Sequence, residues 1–264
     1  ARVIHMDIDE AEIGKIRRPD ISTGCDVKGA LRRLARLVAR ARRESWRAEV
    51  EGLRRDRPLA VPEDPSHPGN LVRRIASMVP PDTILTVDVG QHQMWAAQWW
   101  PVSRPRQFLT SGGLGTMGFS VPAAMGVALA NPGATVLAVT GDGSLLINIQ
   151  ELATIAEESL DVKICVFNNG HLGLVRQQQE LLYGRRYVAS RFDARPDFAA
   201  IARGFGIPGC TIAMPHDEGA LARALAIKGP ALIDIEIEPM ENVFPMVPPG
   251  KSNAEAIVAQ GGDA

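Results

Sequence analysis

Residues 135–144 are Thr-Val-Leu-Ala-Val-Thr-Gly-Asp-Gly-Ser, and residues 162–171 are Val-Lys-Ile-Cys-Val-Phe-Asn-Asn-Gly-His. Each stretch begins with a mostly apolar run of strand length and ends in glycine and short polar residues. A strand that is apolar at nearly every position is buried on both faces, which is typical of a parallel sheet covered by helices. The two stretches therefore predict two buried strands whose carboxyl ends carry polar groups.

A third run of this type is Thr83 to Val87, which is followed by Asp88-Val89-Gly90-Gln91-His92-Gln93. Further strands are predicted around 210–212 and 231–237, and helices at 71–79, 118–130, 146–158, 198–205 and 221–227. Strands that alternate with helices predict an α/β fold with a doubly wound parallel sheet. Ligands of such sheets bind beyond the carboxyl ends of the strands, near the point where strand order reverses. We therefore expect the three polar strand ends to converge on one site.

The beginning of the chain has a different pattern. Residues 1–9 predict a strand already under way, and Val27 to about Arg57 predicts one long helix or two shorter ones. Four prolines between residues 58 and 68 predict a linker, because proline is excluded from helix interiors and central strands. We divide the chain into residues 1–57, the linker 58–68, a sheet domain 69–240 and a C-terminal arm 241–264. We also expect the chain to be a piece of a longer protein.

Composition narrows the class of partner. Lys and Arg number 29 against 30 Asp and Glu, so the charge balance indicates neither a nucleic-acid partner nor a membrane surface. Three cysteines, Cys25, Cys165 and Cys210, are far apart and lack metal-ligand spacing, which fits a reducing compartment. No stretch is long and apolar enough to cross a bilayer. These observations predict a cytoplasmic protein that acts on small molecules.

The strand ends at 141–144 and 168–171 carry oxygen groups of the kind that Mg²⁺ binds together with phosphate. Asp142, held between two glycines, offers a carboxylate and lets the backbone approach a phosphate closely. Asn169 offers an amide oxygen, and His171 a backbone carbonyl. Ser144 lies where amide N–H groups at a helix N-terminus favour a phosphate. Either motif alone fits a tight turn, but the pair, each ending a buried strand, favours a magnesium diphosphate site.

A competing motif is Gly113-Leu114-Gly115-Thr116-Met117-Gly118, which fits the glycine pattern of dinucleotide sites. Such a site needs a hydrophobic strand directly before the first glycine. Residues 104–111 are polar and contain Pro105. We therefore favour the diphosphate site over a nicotinamide site.

Several longer stretches carry a family resemblance. Gly141-Asp142-Gly143 to Asn168-Asn169 resembles the thiamine-diphosphate signature of the pyruvate-oxidase and decarboxylase superfamily. More narrowly, residues 5–15, 88–98, 111–119 and 243–250 resemble acetolactate synthase (acetohydroxyacid synthase) catalytic subunits. The resemblance implies that residues 1–57 are the tail end of a central Rossmann-like domain. It implies that residues 69–240 are the thiamine-diphosphate-binding C-terminal domain.

The resemblance also implies ligands and their residues. Thiamine diphosphate would be bound by Val89, Gly90, Gln91, His92, Gly115, Met117, Asp142, Gly143, Ser144, Asn169, His171 and Leu174. Asp142, Asn169 and the carbonyl of His171 would hold Mg²⁺. The Gly115 carbonyl would accept from the cofactor's 4'-amino group, and Met117 would hold the cofactor bent. FAD is bound without a redox role in this family, and Asp7, Gly112 and Gly113 match positions near it.

The activity implied by the resemblance is that of an acetolactate-synthase-type transferase, of branched-chain amino-acid biosynthesis. Pyruvate is decarboxylated, and its two-carbon unit is transferred to a second 2-oxo acid to give acetolactate. A homo-oligomer and a regulatory small subunit are implied as partners. Gln178 stands where the biosynthetic enzymes have a tryptophan that shapes the second-substrate pocket. Another 2-oxo-acid decarboxylase or acetyltransferase with a different acceptor therefore stays open. A non-catalytic cofactor-binding module also stays open, because the sequence starts in the middle of a strand.

One functional group of the superfamily is not found in residues 1–264. The glutamate that protonates the aminopyrimidine ring comes from an N-terminal domain of a neighbouring subunit. No such domain precedes Ala1 in this sequence. We therefore expect residues 1–264 alone to hold half of an active site and to be inactive.

Overall fold

Residues 2–56, 58, 59 and 61–258 are described by the structure, a computed structural model, which divides the chain into two units, 1–60 and 61–264. In the first unit, strands β1 (Ile4–Asp7) and β2 (Ile21–Gly24) pair in parallel, and helices α1 (Val27–Leu37) and α2 (Glu44–Asp56) follow. The predicted helical region is thus two helices. Strand β2 was not predicted, because Ile21-Ser22-Thr23-Gly24 has one large apolar residue and no alternation.

The second unit is built on one six-stranded sheet. Its strands are β3 (Ile84–Val87), β4 (Phe108–Thr110), β5 (Val136–Gly141), β6 (Val162–Asn168), β7 (Gly209–Ala213) and β8 (Ala231–Glu236). Its helices are α3 (Pro68–Met78), α4 (Gln91–Trp99), α5 (Ser120–Ala130), α6 (Asp142–Ile147), α7 (Glu151–Glu157), α8 (Gly173–Leu182), α9 (Phe198–Gly204) and α10 (Glu218–Leu225). The strands lie in the order β4-β3-β5-β6-β8-β7, and all pairs are parallel. The predicted α/β class with a parallel sheet is confirmed.

Both faces of the sheet are covered by helices. On one face, alternate residues of β3, β5, β6 and β8 pack with α3, α4 and α10. On the other face, the intervening residues pack with α5, α6, α7 and α9. The central strands β5 and β6 are buried along almost their whole length. Burial on both sides explains why these strands are nearly continuous apolar runs in the sequence.

Strand order reverses between β3 and β5. From β3 the chain crosses to β4 on one side, whereas from β5 it crosses to β6 on the other. The connections that leave β3 and β5 therefore diverge and open a crevice at the carboxyl ends of these strands. This crevice is where the polar strand ends were expected to meet.

Three elements of the second unit were not predicted. Helix α4 has apolar residues on all sides rather than on one, and α8 has five successive polar residues, 176–180, in its interior. Residues 104–111, judged too polar for a strand, contain β4, a half-buried edge strand of three residues. The predicted helix at 146–158 is in fact two helices, and the first begins at Asp142.

The segment after β8 is extended and returns to the body of the unit. Met246 and Ile257 form an isolated antiparallel bridge, and Asn253–Glu255 forms a 3-10 turn. The end of the predicted arm, residues 259–264, lies outside the described residues, as do Ala1, Arg57 and Ala60. No helix in the described part of the chain is long and apolar enough to span a membrane.

Asp234 is a buried carboxyl in β8. Burial raises its pKa to about 6, with Glu236 and Asp197 adding to the shift and a hydrogen bond from Asn168 opposing it. A carboxyl whose pKa is raised on folding binds its proton more tightly in the folded state. Its contribution to stability is therefore present at low pH and is lost as pH rises from about 4 through about 6.

We expect Asp234→Asn to raise the melting temperature relative to wild type more at about pH 8 than at about pH 4, because asparagine cannot ionise. Thermal denaturation followed by circular dichroism at both pH values measures the difference. Asp82→Asn, at an exposed carboxylate, is the control for loss of one charge. An advantage of Asp234→Asn that is the same at both pH values would contradict this assignment.

Candidate active site

A cleft lies at the carboxyl edge of the sheet, where β3, β5 and β6 end. Twelve of the residues predicted to bind the cofactor line it: Val89, Gly90, Gln91, His92, Gly115, Met117, Asp142, Gly143, Ser144, Asn169, His171 and Leu174. They come from three strand ends and from the glycine-rich segment before α5. Separate stretches of sequence, up to 85 positions apart along the chain (89 to 174), thus meet in one place.

Asp88 holds the first strand end in place. One oxygen of its buried carboxylate accepts the backbone N–H of Ser120 at 2.8 Å, and the other accepts the hydroxyl of Thr140 at 2.5 Å. These bonds join the end of β3 to the start of α5 and to the end of β5. Burial raises the pKa of Asp88, while the hydrogen bonds from Thr140 and Ser120 oppose the rise. Its task in this geometry is to position the strand ends.

Asp142 joins the second and third strand ends. Its Oδ1 accepts the N–H of Gly143 and its Oδ2 the N–H of Gly170, both at 2.7 Å. The residue is 4 % exposed, and burial raises its pKa to about 6 against the effect of these N–H groups. The charged form of a buried carboxylate is favoured by a bound cation.

Asn169 has its amide held at both ends. Its Oδ1 accepts the N–H of His171 at 3.0 Å, and its Nδ2 donates to Oε1 of Gln91 at 3.2 Å. Gly170, between the two predicted ligands, has a φ of +66°, which is the left-handed region that glycine adopts without strain. The turn therefore places the Asn169 amide and the His171 backbone beside Asp142.

His92 is neutral in this site. Burial lowers its pKa to about 3, so the ring carries one N–H and one free lone pair. Its Nε2 is buried and has no hydrogen-bond partner in the structure. The ring packs on Gly141, where a Cβ would lie 3.0 Å from it. An unpaired ring nitrogen on the wall of a cleft is a hydrogen-bonding position for a ligand.

Four predicted residues do not line the cleft. Gly112 and Gly113 are exposed in the loop after β4, and Asp7 lies in the first unit, where its Oδ1 accepts the N–H of Asp9. Gln178 lies one helical turn beyond Leu174 along α8, away from the strand ends. It lines a surface groove with Tyr183 and Arg186, and Val175 lines both this groove and the cleft. The roles predicted for these residues stay predictions.

Comparison with known families gives a match over the residues that build this cleft. The model of the thiamine pyrophosphate enzyme C-terminal TPP-binding domain matches residues 88–235. The chain belongs to the thiamine pyrophosphate enzyme family.

Relatives within this family cover nearly the whole chain. It is 47% identical over 260 residues to acetolactate synthase isozyme 1 large subunit of Escherichia coli, and 43% identical over 267 residues to the acetolactate synthase large subunit of Parasynechococcus marenigrum. It is 40% identical over 274 residues to acetolactate synthase 2, chloroplastic, of Zea mays. These matches cover 97–98% of the chain and 43–46% of the relatives. The chain thus spans about half the length of the curated relatives it matches.

The donor groups in the cleft fit the magnesium diphosphate part of a thiamine pyrophosphate enzyme's cofactor. Mg²⁺ is usually bound by one or two carboxylates with phosphate oxygens and neutral oxygen ligands. The cleft supplies one carboxylate, Asp142, and the amide of Asn169. The described residues include no cluster of three His, Cys, Asp or Glu side chains that would hold a metal ion without phosphate. The N-termini of α4 and α6, at Gln91 and Asp142, open onto the same cleft.

Seven residues of the cleft were not predicted: Trp95, Gly141, Phe167, Leu172, Gly173, Val175 and Ile237. Most are apolar residues whose sequence pattern is that of any core position. Gly173 is different. A Cβ at this position would lie 2.1 Å from Oε1 of Gln91 and 2.6 Å from Nδ2 of Asn169. The available signal was a glycine shortly after Asn169, but the sequence does not show that Gln91 also lies beside it.

We expect Asp88→Ala to lower the free energy of unfolding by about 2 kcal/mol, because it leaves the buried Ser120 N–H without an acceptor. Denaturant unfolding followed by circular dichroism measures this. Asp88→Asn is the matched variant. Its oxygen still accepts from Ser120, and the Thr140 hydroxyl has the Gly141 carbonyl at 3.2 Å as an alternative acceptor. Equal losses for the two variants would contradict the role given to these bonds.

Proposed function

We propose that this protein is a thiamine-diphosphate- and Mg²⁺-dependent transferase of acetolactate-synthase type. It decarboxylates pyruvate and transfers the two-carbon unit to a second 2-oxo acid to give acetolactate. One observation carries the proposal: twelve residues predicted for the cofactor line one cleft at the reversal point of the sheet. The identities of 40–47% to acetolactate synthase large subunits support the choice of reaction.

The metal end of the site is assigned to the ends of β5 and β6. Asp142 and Asn169 would bind Mg²⁺ through side-chain oxygens, and His171 through its backbone carbonyl. Gly143 and Ser144 lie at the start of α6, where backbone N–H groups and the helix dipole favour the diphosphate. The neutral ring of His92 offers a further hydrogen-bonding nitrogen.

The ring end of the site is assigned to the segment before α5 and to the start of α8. Gly115 has a φ of +79°, and its carbonyl would accept from the cofactor's amino group. Met117 is half-buried in the wall of the cleft and would hold the cofactor bent. When bound, thiamine diphosphate supplies the electron sink for loss of carbon dioxide from a 2-oxo acid. Leu174 and Trp95 line the cleft and make part of its wall apolar.

The same proposal includes a second cofactor, partner subunits, a location and domain bounds. It comprises FAD near Asp7, Gly112 and Gly113, a homo-oligomer with a regulatory small subunit, and a cytoplasmic location. It also comprises a domain remnant 1–57, a linker 58–68, a cofactor domain 69–240 and an arm 241–264. The division of the structure after residue 60 falls within the proposed linker. Gln178 is proposed to bear on the choice of second substrate.

We expect Asp142→Ala to abolish retention of thiamine diphosphate, because Asp142 gives the ion its only full negative charge from the cleft. Two Asp-to-Asn variants, which each remove one charge, make the test more specific. Asp142→Asn should weaken cofactor binding by at least about 100-fold, equal to about 3 kcal/mol. Asp234→Asn removes an equally buried carboxylate that does not line the cleft and acts on Asp142 only as a nearby charge, so it should change cofactor affinity much less than Asp142→Asn does. Isothermal titration with thiamine diphosphate in Mg²⁺ buffer measures both, and tight binding by Asp142→Asn would refute the metal assignment.

We expect the full-length protein to form acetolactate from pyruvate alone when thiamine diphosphate and Mg²⁺ are present. Product identification by NMR, with a reaction in EDTA as control, measures this. Release of carbon dioxide without acetolactate would contradict the transferase assignment but not the cofactor. Failure of the protein to retain thiamine diphosphate would contradict both.

A further inference from the structure

Gln177, in helix α8, is completely buried and does not line the cleft. Both ends of its amide bind the backbone of Val243, in the segment after β8. Its Nε2 donates to the Val243 carbonyl, and its Oε1 accepts the Val243 N–H, each at 2.9 Å. A backbone donor and acceptor cannot exchange places. The Gln177 amide therefore has one allowed orientation.

Gln91, at the start of α4, takes its orientation from two acceptors. Its Nε2 donates to Oε1 of Gln177 and to the backbone carbonyl of Glu241, each at 2.8 Å. Both acceptors are fixed, the first by Val243 and the second because it is a carbonyl. Oε1 of Gln91 must therefore point the other way, into the cleft.

Asn169 is the last amide of the series. Its Nδ2 donates to Oε1 of Gln91, and its Oδ1 accepts the N–H of His171. If this amide were reversed, an oxygen would face the Gln91 oxygen and an N–H would face the His171 N–H. Each buried mismatch of this kind leaves polar groups unpaired. The series therefore keeps Oδ1 of Asn169 on the side of His171.

We propose that Gln177 is a positioning residue that acts on the metal site through Gln91. The backbone of residues 241–243 fixes the orientation of the Gln177 and Gln91 amides, and the Gln91 amide fixes that of Asn169. As a result, the oxygen of Asn169 and not its NH₂ group faces the cation. The inference rests on the proposed function, because it assumes that Asn169 binds Mg²⁺. A cation is bound by the amide oxygen and repelled by the NH₂ group.

Gly173 supports this inference independently. A Cβ there would lie within 2.6 Å of both Gln91 Oε1 and Asn169 Nδ2. The two side chains thus meet directly over the Gly173 backbone. They are buried and hydrogen-bonded, so neither moves aside without breaking the series. The absence of a side chain at position 173 is what allows the link between Gln91 and Asn169 to close.

The test is Gln177→Met, which keeps the length of the side chain and removes its hydrogen bonds. We expect the Mg²⁺ concentration for half-maximal binding of thiamine diphosphate to rise about tenfold or more, as for other residues that orient metal ligands. Quenching of tryptophan fluorescence measures it, since Trp95 lines the cleft. The matched control is Gln107→Met. Gln107 is also buried, and its amide bonds the Pro81 carbonyl and the Ser103 N–H. It directly precedes β4 and so lies at the amino ends of the strands, whereas the cleft lies at their carboxyl ends.

A merely structural role would lower the melting temperature in both variants and leave Mg²⁺ half-saturation unchanged in both. That result would overturn the inference. A rise in the Mg²⁺ requirement of Gln177→Met alone supports it. If the wild-type protein binds no thiamine diphosphate with Mg²⁺, the proposed function itself fails, which is a different outcome.

A second variant keeps the inference testable if Gln177→Met does not fold. Gly173→Ala leaves Gln177 in place and forces Gln91 and Asn169 apart, so it should raise the Mg²⁺ requirement in the same direction. Its control is Gly126→Ala in α5, where a Cβ meets nothing within 4 Å. Unchanged Mg²⁺ half-saturation in Gly173→Ala would overturn the inference on its own.

Discussion

The carboxylate of Asp88 is the interaction on which the site depends most. It bonds the first turn of α5 and the end of β5 from the end of β3, and so fixes three elements at the point where strand order reverses. The parallel sheet brings strand ends to one edge but leaves their separation and the helix starts undefined. A buried carboxylate with two short hydrogen bonds defines both, because leaving either donor unpaired would cost free energy.

Burial at this edge of the sheet changes the pKa of Asp142. Asp142 is held by two N–H groups, yet burial still raises its pKa to about 6. Its charged form is therefore less stable here than in water, and a cation bound beside it removes that penalty. The helix N-termini add backbone N–H donors, and the neutral His92 lines the cleft without adding a positive charge.

Much of the sheet and most of the cleft were predictable from sequence. The runs before Asp88, Gly141 and Asn168 are apolar at nearly every position because both faces of each strand are covered, and this pattern is local. The polar groups that follow were predictable as well, because each comes directly after one of these runs in the sequence. By contrast, β2 and β4 are short strands that exist only because a neighbouring strand pairs with them. Gly173, the first residue of α8, lies against Gln91, which is 82 positions away along the chain, and no local pattern shows that contact.

The amino-acid sequence was enough to predict the order of most strands along the chain and the polar groups that follow β3, β5 and β6 at the cleft. Those properties depend on neighbours a few positions apart. The orientations of the buried amides of Gln177, Gln91 and Asn169 depend on the tertiary structure. That choice comes from Val243 and Glu241, which lie 66 and 150 positions from the amides they orient. No local pattern carries such information, because an amide side chain has both a donor and an acceptor, and only fixed partners select between them.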